Sequence, residues 1–213
     1  TEFLGYSATE AEGEVRALLA EGVEINKAEE GCKVELVMNQ TPFYGNSGGQ
    51  SGDQGTLCNS NNTQQLFVTD TVKRLGDIHV HIAEVKKGVI NIGDVLVARV
   101  DKDRRKALMA NHSATHLLHT ALRKVLGDHV VQKGSLVAPE RLRFDLSHSK
   151  PLTESELTKV EDLVNAEIRS NQQVFTVVTT PEEAVKQGAL ALFGEKYGAE
   201  VRVVSMGSLS NSG

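Results

Sequence analysis

Asn111-His112-Ser113-Ala114-Thr115-His116-Leu117-Leu118-His119 is the stretch best suited to chemistry in this 213-residue chain. Residues four apart project from one face of a helix, so the imidazoles of His112 and His116 would stand about 6 Å apart and could grip one metal ion. A metal held this way activates water or polarises a carbonyl, which is the chemistry of a hydrolase. The pair is half of a zinc site, because zinc takes three or four His, Cys or carboxylate ligands. Seven histidines would by chance form about 0.2 such pairs in a chain of this length, so the spacing needs context. His119 falls near the same face, either as a further ligand or as an ordinary core or surface histidine.

A His-Glu-x-x-His metalloprotease would place a general-base Glu after the first histidine, but Ser113 stands there. Thr115 could orient a water or a substrate amine through its hydroxyl, or simply bond the preceding helical turn. A second unusual stretch runs from Thr41 through Pro42, Phe43, Tyr44 and Ser47 to Gly55 and holds five glycines. Glycines let a backbone approach a partner closely or take positive φ, although an ordinary hairpin connection would also use them. No Lys follows them in the P-loop pattern, which argues against a nucleotide cradle.

The elements that must position these residues fall into two regions. From about residue 12 to 100, short runs rich in Val, Ile and Leu alternate with Gly, Asn and Asp. Val34–Val37, Leu66–Val68, Ile78–Ile82 and Val95–Val100 are examples, and they predict a small β-barrel. From Asp103 to Leu126 the pattern is helical, with Leu108, Leu118, Leu122 and Val125 on one stripe and Gly127 at the stop. A hairpin of Val130–Val137 and Arg141–Ser147 follows. Then comes a helix from the capping-box spacing at Thr153 to about Ser170, and a shorter helix after Thr180-Pro181. Strands at Val174–Thr179 and Val201–Ser205 complete the reading: an α+β chain with an N-terminal barrel domain over 1–102 and an α+β core over 103–213 that carries the His-x-x-x-His helix.

The formal charge of −5 argues against a generic nucleic-acid coat, and no DNA partner is expected. The charge is uneven: residues 101–150 hold ten Lys/Arg against five Asp/Glu, whereas the rest holds 13 against 23. Lys102, Arg104, Arg105, Lys106, Arg123, Lys124, Lys133, Arg141 and Arg143 therefore surround the histidine motif. They would receive a phosphate backbone or form a solvated helix face. No apolar run approaches the roughly 18–20 residues of a membrane span, and the acidic, helix-like start lacks the order of a signal peptide, which predicts a cytoplasmic protein without a membrane partner. Cys32 and Cys58 form no metal-type spacing and read as small hydrophobes.

Taken in order, Thr41-Pro-Phe-Tyr with Ser47-Gly-Gly-Gln, Asn111-His-Ser-Ala-Thr-His, Gln132-Lys-Gly-Ser-Leu-Val, Arg141-Leu-Arg-Phe-Asp and Gly194-Glu-Lys-Tyr resemble the editing domain of the alanyl-tRNA synthetase family. Free-standing trans-editing proteins share that fold. The resemblance runs from Thr1 to Gly207 and implies hydrolysis of the ester joining a wrong amino acid, serine or glycine, to the 3′ end of tRNA(Ala). It implies zinc on His112 and His116, a substrate pocket holding Thr115 and Gln132, and the glycine-rich loop at its border. Gln132 would serve the serine hydroxyl or the attacking water; otherwise it is a strand-end surface amide.

One departure stands out. After Ser205-Met206-Gly207 the family continues into a Cys-x-x-x-His element that completes the zinc site, whereas this chain reads Ser208-Leu-Ser-Asn-Ser-Gly213. The tail resembles a truncation, and weak or absent zinc and an inactive fragment are the expectation. ATP chemistry would belong to the parent enzyme alone. The competing reading is a non-catalytic module that binds an aminoacyl-tRNA end or a protein.

Overall fold

A computed structural model describes residues 1–186 and 199–206. The Gly194-Glu-Lys-Tyr motif and the tail at 208–213 lie outside the described residues. The chain forms two compact units: Thr1–Met109 with Val137–Arg141, and Ala110–Leu136 with Leu142–Gly213.

The first unit is a closed barrel of six antiparallel strands: β1 (Glu10–Ala20), β2 (Lys33–Met38), β3 (Gly55–Cys58), β4 (Gln65–Arg74), β5 (Ile78–Lys87) and β6 (Val95–Val100). Their order around the wall is β6-β3-β4-β5-β2-β1, and β1 pairs back to β6 from Val95↔Glu14 to Arg99↔Glu10. Alternation drives the closure. In β2, Val34, Leu36 and Met38 point inward, and in β6 Leu96, Ala98 and Val100 do the same. With Leu18, Leu57, Leu66, Val68 and Val85 they make a core of aliphatic side chains.

The start of this unit corrects the sequence reading. Glu10–Ala20 is rich in Glu, Ala and Leu and looks helix-forming, yet it is the 11-residue strand β1. Its pairing with β2 and β6 and the burial of Val15 and Leu18 outweigh intrinsic preference, as tertiary context commonly does. A bulge between Val15 and Ala17 lets both apolar side chains face the core. Gly13 sits where a Cβ would lie 2.7 Å from the Gln40 carbonyl oxygen, so only glycine lets the passing chain approach so closely.

Helix α1 (Lys102–Leu126) begins beside the barrel. Asp101 Oδ1 accepts the backbone N–H groups of Asp103 (3.1 Å) and Arg104 (3.0 Å), which caps the first turn. Arg105 then binds the glycine-rich loop. Its Nε donates to both Asp53 oxygens at 3.0 Å, its Nη1 to Gly5 O (2.9 Å) and its Nη2 to Pro42 O (2.8 Å) and to Asp53 Oδ2. Asp53 is fully buried and also accepts the Tyr44 N–H at 2.7 Å. On its other side the loop forms a short parallel ladder, with Ser51 N–H donating to Val137 O (3.0 Å) and Val137 N–H to Gly49 O (2.8 Å). Gly52 faces the barrel wall so tightly that a Cβ would lie 2.0 Å from Thr71 O.

The second unit contains the rest of α1, the strand β7 (Gln132–Val137) as far as Leu136, its partner β8 (Leu142–Leu146), and α2 (Glu154–Ser170). Strand β9 (Val174–Thr179), α3 (Pro181–Lys186) and β10 (Val201–Met206) follow. Ala121, Leu122, Val130 and Val160 form its core, with Leu118, Phe144, Leu146 and Leu163 packed around them. Thr153 caps α2 in a capping box with Glu156, as the spacing predicts, and Asn171 ends it in the left-handed region at φ 46°. β9 and β10 pair antiparallel from Val174↔Met206 to Thr179↔Val201. The α+β architecture with a barrel at the N-terminal side is therefore the one read from the sequence. Among the described residues no helix is long and apolar enough to cross a membrane.

Candidate functional site

α1 places His112 and His116 on one face, and their rings lie nearly parallel, 18° apart, with centroids separated by 5.1 Å. Both are half-buried. Burial, reinforced by the charges that His112 and His119 would carry, pushes the His116 imidazole down to about 4. Near neutral pH that ring is uncharged and offers a lone pair. Thr115 is buried, and its hydroxyl donates to the Asn111 carbonyl at 2.8 Å. This is the bond to the preceding turn that a helical Thr often makes, and it leaves the oxygen able to accept. Gln132 is the first residue of β7 and is half-buried.

His119 is nine-tenths buried, at 7% exposure. Its ring packs against Phe144 at a centroid distance of 5.2 Å. The Val130 carbonyl accepts Arg123 Nη1 at 3.2 Å. The other histidines are engaged elsewhere: His79 with Asp77 O, His81 with Thr41 and Leu36, and His129 Nε2 with His148 Nδ1 at 2.9 Å.

A zinc centre requires three or four donors. Among the described residues no three His, Cys, Asp or Glu side chains converge to hold a metal ion. Cys58 is buried in the barrel wall, and Arg99 Nη1 donates to its sulfur at 2.8 Å. The two imidazoles therefore do not by themselves make a zinc centre.

The basic segment is less open than its charge suggests. Arg105 is not available to a phosphate, since Asp53 and two carbonyls occupy it inside the first unit. Arg123 is held by Asp128, Arg143 by Asp145 and Lys106 by Asp103. Lys102, Lys124 and Arg141 are exposed. The Asp53–Arg105 pair was invisible in the sequence, because 52 residues separate the partners and nothing local marks either as buried.

Residues 1–104 match the family model described as tRNA synthetases class II (A). Nearly the whole chain is similar to alanine–tRNA ligases. It is 56% identical to that of Parvibaculum lavamentivorans over 97% of this chain and 23% of the ligase. It is 55% identical to that of Rhodopseudomonas palustris, over 97% of this chain and 23% of the relative. It is 55% identical to that of Granulibacter bethesdensis, over 98% and 24%. The chain thus spans about a quarter of the length of the curated relatives it matches. The resemblance to alanyl-tRNA synthetases read from the motifs is borne out: nearly the whole chain is similar to a segment of such ligases.

Proposed function

We propose that this chain is the editing segment of an alanyl-tRNA synthetase and that it serves to hydrolyse the aminoacyl ester of mischarged Ser-tRNA(Ala) or Gly-tRNA(Ala). The observation that carries the reading is the parallel pair of His112 and His116 rings at 5.1 Å, on one helix with buried Thr115, in a chain similar along 97% of its length to alanine–tRNA ligases. The need is physical. A pocket built for alanine cannot strongly reject the smaller glycine or the near-isosteric serine, so a second, hydrolytic site must remove them.

In this reaction water attacks the ester carbonyl, the bond to the ribose oxygen breaks, and free amino acid leaves an intact tRNA. Thr115 and Gln132 are the polar groups assigned to the substrate or the attacking water. Neutral His116 supplies a lone pair near neutral pH. Lys124, exposed on the unit that carries the histidine pair, offers positive charge to the acceptor end of the tRNA. Zinc enters as an ion for which His112 and His116 would be two ligands; this polypeptide is proposed to hold it weakly, because the described donors number too few. The setting proposed is the cytoplasm.

The two-donor set also favours a second reading, a module that binds an aminoacyl-tRNA end or a protein without hydrolysing anything. Deacylation of Ser-tRNA(Ala), measured for this chain and for a full-length ligase carrying it, separates the readings. Hydrolysis that falls in the His112→Ala and His116→Ala ligases supports the editing function. Binding of Ser-tRNA(Ala) with no hydrolysis by the unmodified ligase supports the binding module and overturns the first reading.

A further inference from the structure

Gln132 opens β7, and its place is fixed by the short link that leads to it from α1. The helix ends at Leu126, and Gly127, at φ +114°, turns the chain out of it. From Asp128 to Val131 the link has neither helix nor strand of its own, yet each of its carbonyls is taken. Arg123 supplies two of the donors: Nη1 reaches Asp128 O at 2.9 Å and Val130 O at 3.2 Å, while Nη2 binds Asp128 Oδ1 at 3.0 Å. Ser147, just past β8, supplies the others: its Oγ donates to His129 O at 3.2 Å and its N–H to Val131 O at 2.9 Å. A planar guanidinium with fixed N–H directions holds several acceptors at once, which a flexible ammonium does poorly. The Val130 side chain is fully buried in the core of this unit, so packing anchors the link as well.

The side from which Arg123 reaches matters. With about 3.6 residues per turn, His112, His116, His119 and Arg123 share one stripe of α1. Phe144 of β8 packs on His119 with ring centroids 5.2 Å apart, so the hairpin lies against that same stripe. Arg123 thus draws the start of β7 to the helix face that carries the two candidate ligands.

We infer that Arg123 is a positioning residue of the proposed site: by holding the Asp128 and Val130 carbonyls it sets where Gln132 stands relative to His112 and His116. The catalytic consequence rests on the editing reading of the site, whereas the placement rests on the hydrogen bonds alone. Arg123 acts through Gln132 rather than by touching substrate. Its position in the last turn of α1, where carbonyls lack helical partners, also suits a cation.

The test measures single-turnover hydrolysis of Ser-tRNA(Ala), with ligase in excess, by a full-length ligase carrying this chain and by its Arg123→Met, Arg123→Lys and Asp128→Ala variants. Met keeps the apolar stem and removes every donor, Lys keeps the charge and one reach, and D128A removes the exposed carboxylate while leaving both carbonyl bonds. R123M should lower the saturating rate constant about ten-fold or more, roughly the worth of one hydrogen bond, with part of the loss restored in R123K. D128A should stay within about two-fold of the unmodified ligase, since an exposed ion pair contributes little. A fraction of unfolded ligase would raise the half-saturating concentration and leave the saturating rate constant alone, so the two causes separate. An unchanged saturating rate constant in R123M overturns the inference, as does a loss confined to half-saturation. An equal loss in D128A also overturns it, by assigning the effect to the ion pair. If the unmodified ligase hydrolyses neither Ser-tRNA(Ala) nor Gly-tRNA(Ala), or if R123M does not fold in the ligase, the side-chain amide NMR signals of Gln132 in this chain decide. Signals that move in R123K and stay put in D128A uphold the positioning role, and signals unmoved in R123K overturn it; in the first of these cases it is the editing reading that has failed.

Discussion

Thr41 and His81 share a hydrogen bond of 2.8 Å inside the barrel, and the far side of the ring fixes its direction. His81 Nδ1 lies 3.0 Å from the Leu36 carbonyl, which can only accept. Nδ1 therefore carries the proton, and the Thr41 hydroxyl donates to Nε2 while accepting the Phe43 N–H at 3.1 Å. The relay holds a neutral imidazole in the barrel and ties it to the start of the glycine-rich loop.

A consequence in acid follows. Burial pushes His81 down to about 4 from an ordinary 6.5. Between those values the unfolded chain takes up a proton that the folded chain refuses, so stability present above the upper value is lost as pH falls toward the lower one. The loss should reach on the order of 3 kcal/mol, and His116 adds to it in the same direction. Urea midpoints measured from neutral pH down to acid should fall less in His81→Gln than in the native chain; parallel curves would contradict a buried neutral ring.

Arg105 and Asp53 form a buried ion pair that serves three segments at once: the chain at Gly5, the loop from Pro42 to Asp53, and the first turns of α1. Removing one partner strands the other, so Arg105→Ala or Asp53→Asn should cost about 3–5 kcal/mol in chemical denaturation. A matched apolar pair at the two positions should cost clearly less. Equal losses for the single and double replacements would mean that the charges themselves are not what matters.

Two glycines give a contrast within one barrel. Gly52→Ala would drive a Cβ against the Thr71 carbonyl and should destabilise by about 2 kcal/mol or more. Gly22, at φ +79° with open space around it, should lose only about 1 kcal/mol on the same change. Thermal unfolding of the two variants side by side checks the order, and a reversed order would refute the close packing of the loop.

Metal content tests the donor count. After equilibration with zinc and removal of excess, this chain should retain well under one ion per molecule, and His116→Ala should abolish what remains. Tight, stoichiometric retention by the native chain would show a donor set richer than the described histidine pair.

The sequence revealed what repeats at short range. α1 was readable because its apolar stripe and its stop at Gly127 span seven turns, and the observed bounds differ from the reading by one residue. The Thr153 cap was equally legible, being a four-residue pattern with one mechanism. β1 was not, because Glu, Ala and Leu favour a helix until two neighbouring strands claim them. The histidine pair could be placed from spacing alone, whereas the tautomer of His81 depends on Leu36, 45 residues back. The fate of Arg105 depends on a loop in another part of the barrel. Long-range partners leave no periodic mark.

The barrel wall meets itself at β1 and β6, so every strand in it has a neighbour on both sides. The ribbon of β9 and β10 is its opposite: among the described residues each of its strands has one partner, and Phe175, Val177 and Val178 stand exposed. Self-association by strand addition, the route into fibrils, is closed to the barrel and open to the ribbon. In a concentrated preparation of this polypeptide, the first clumps should grow from Val174–Thr179 while the barrel within them stays folded.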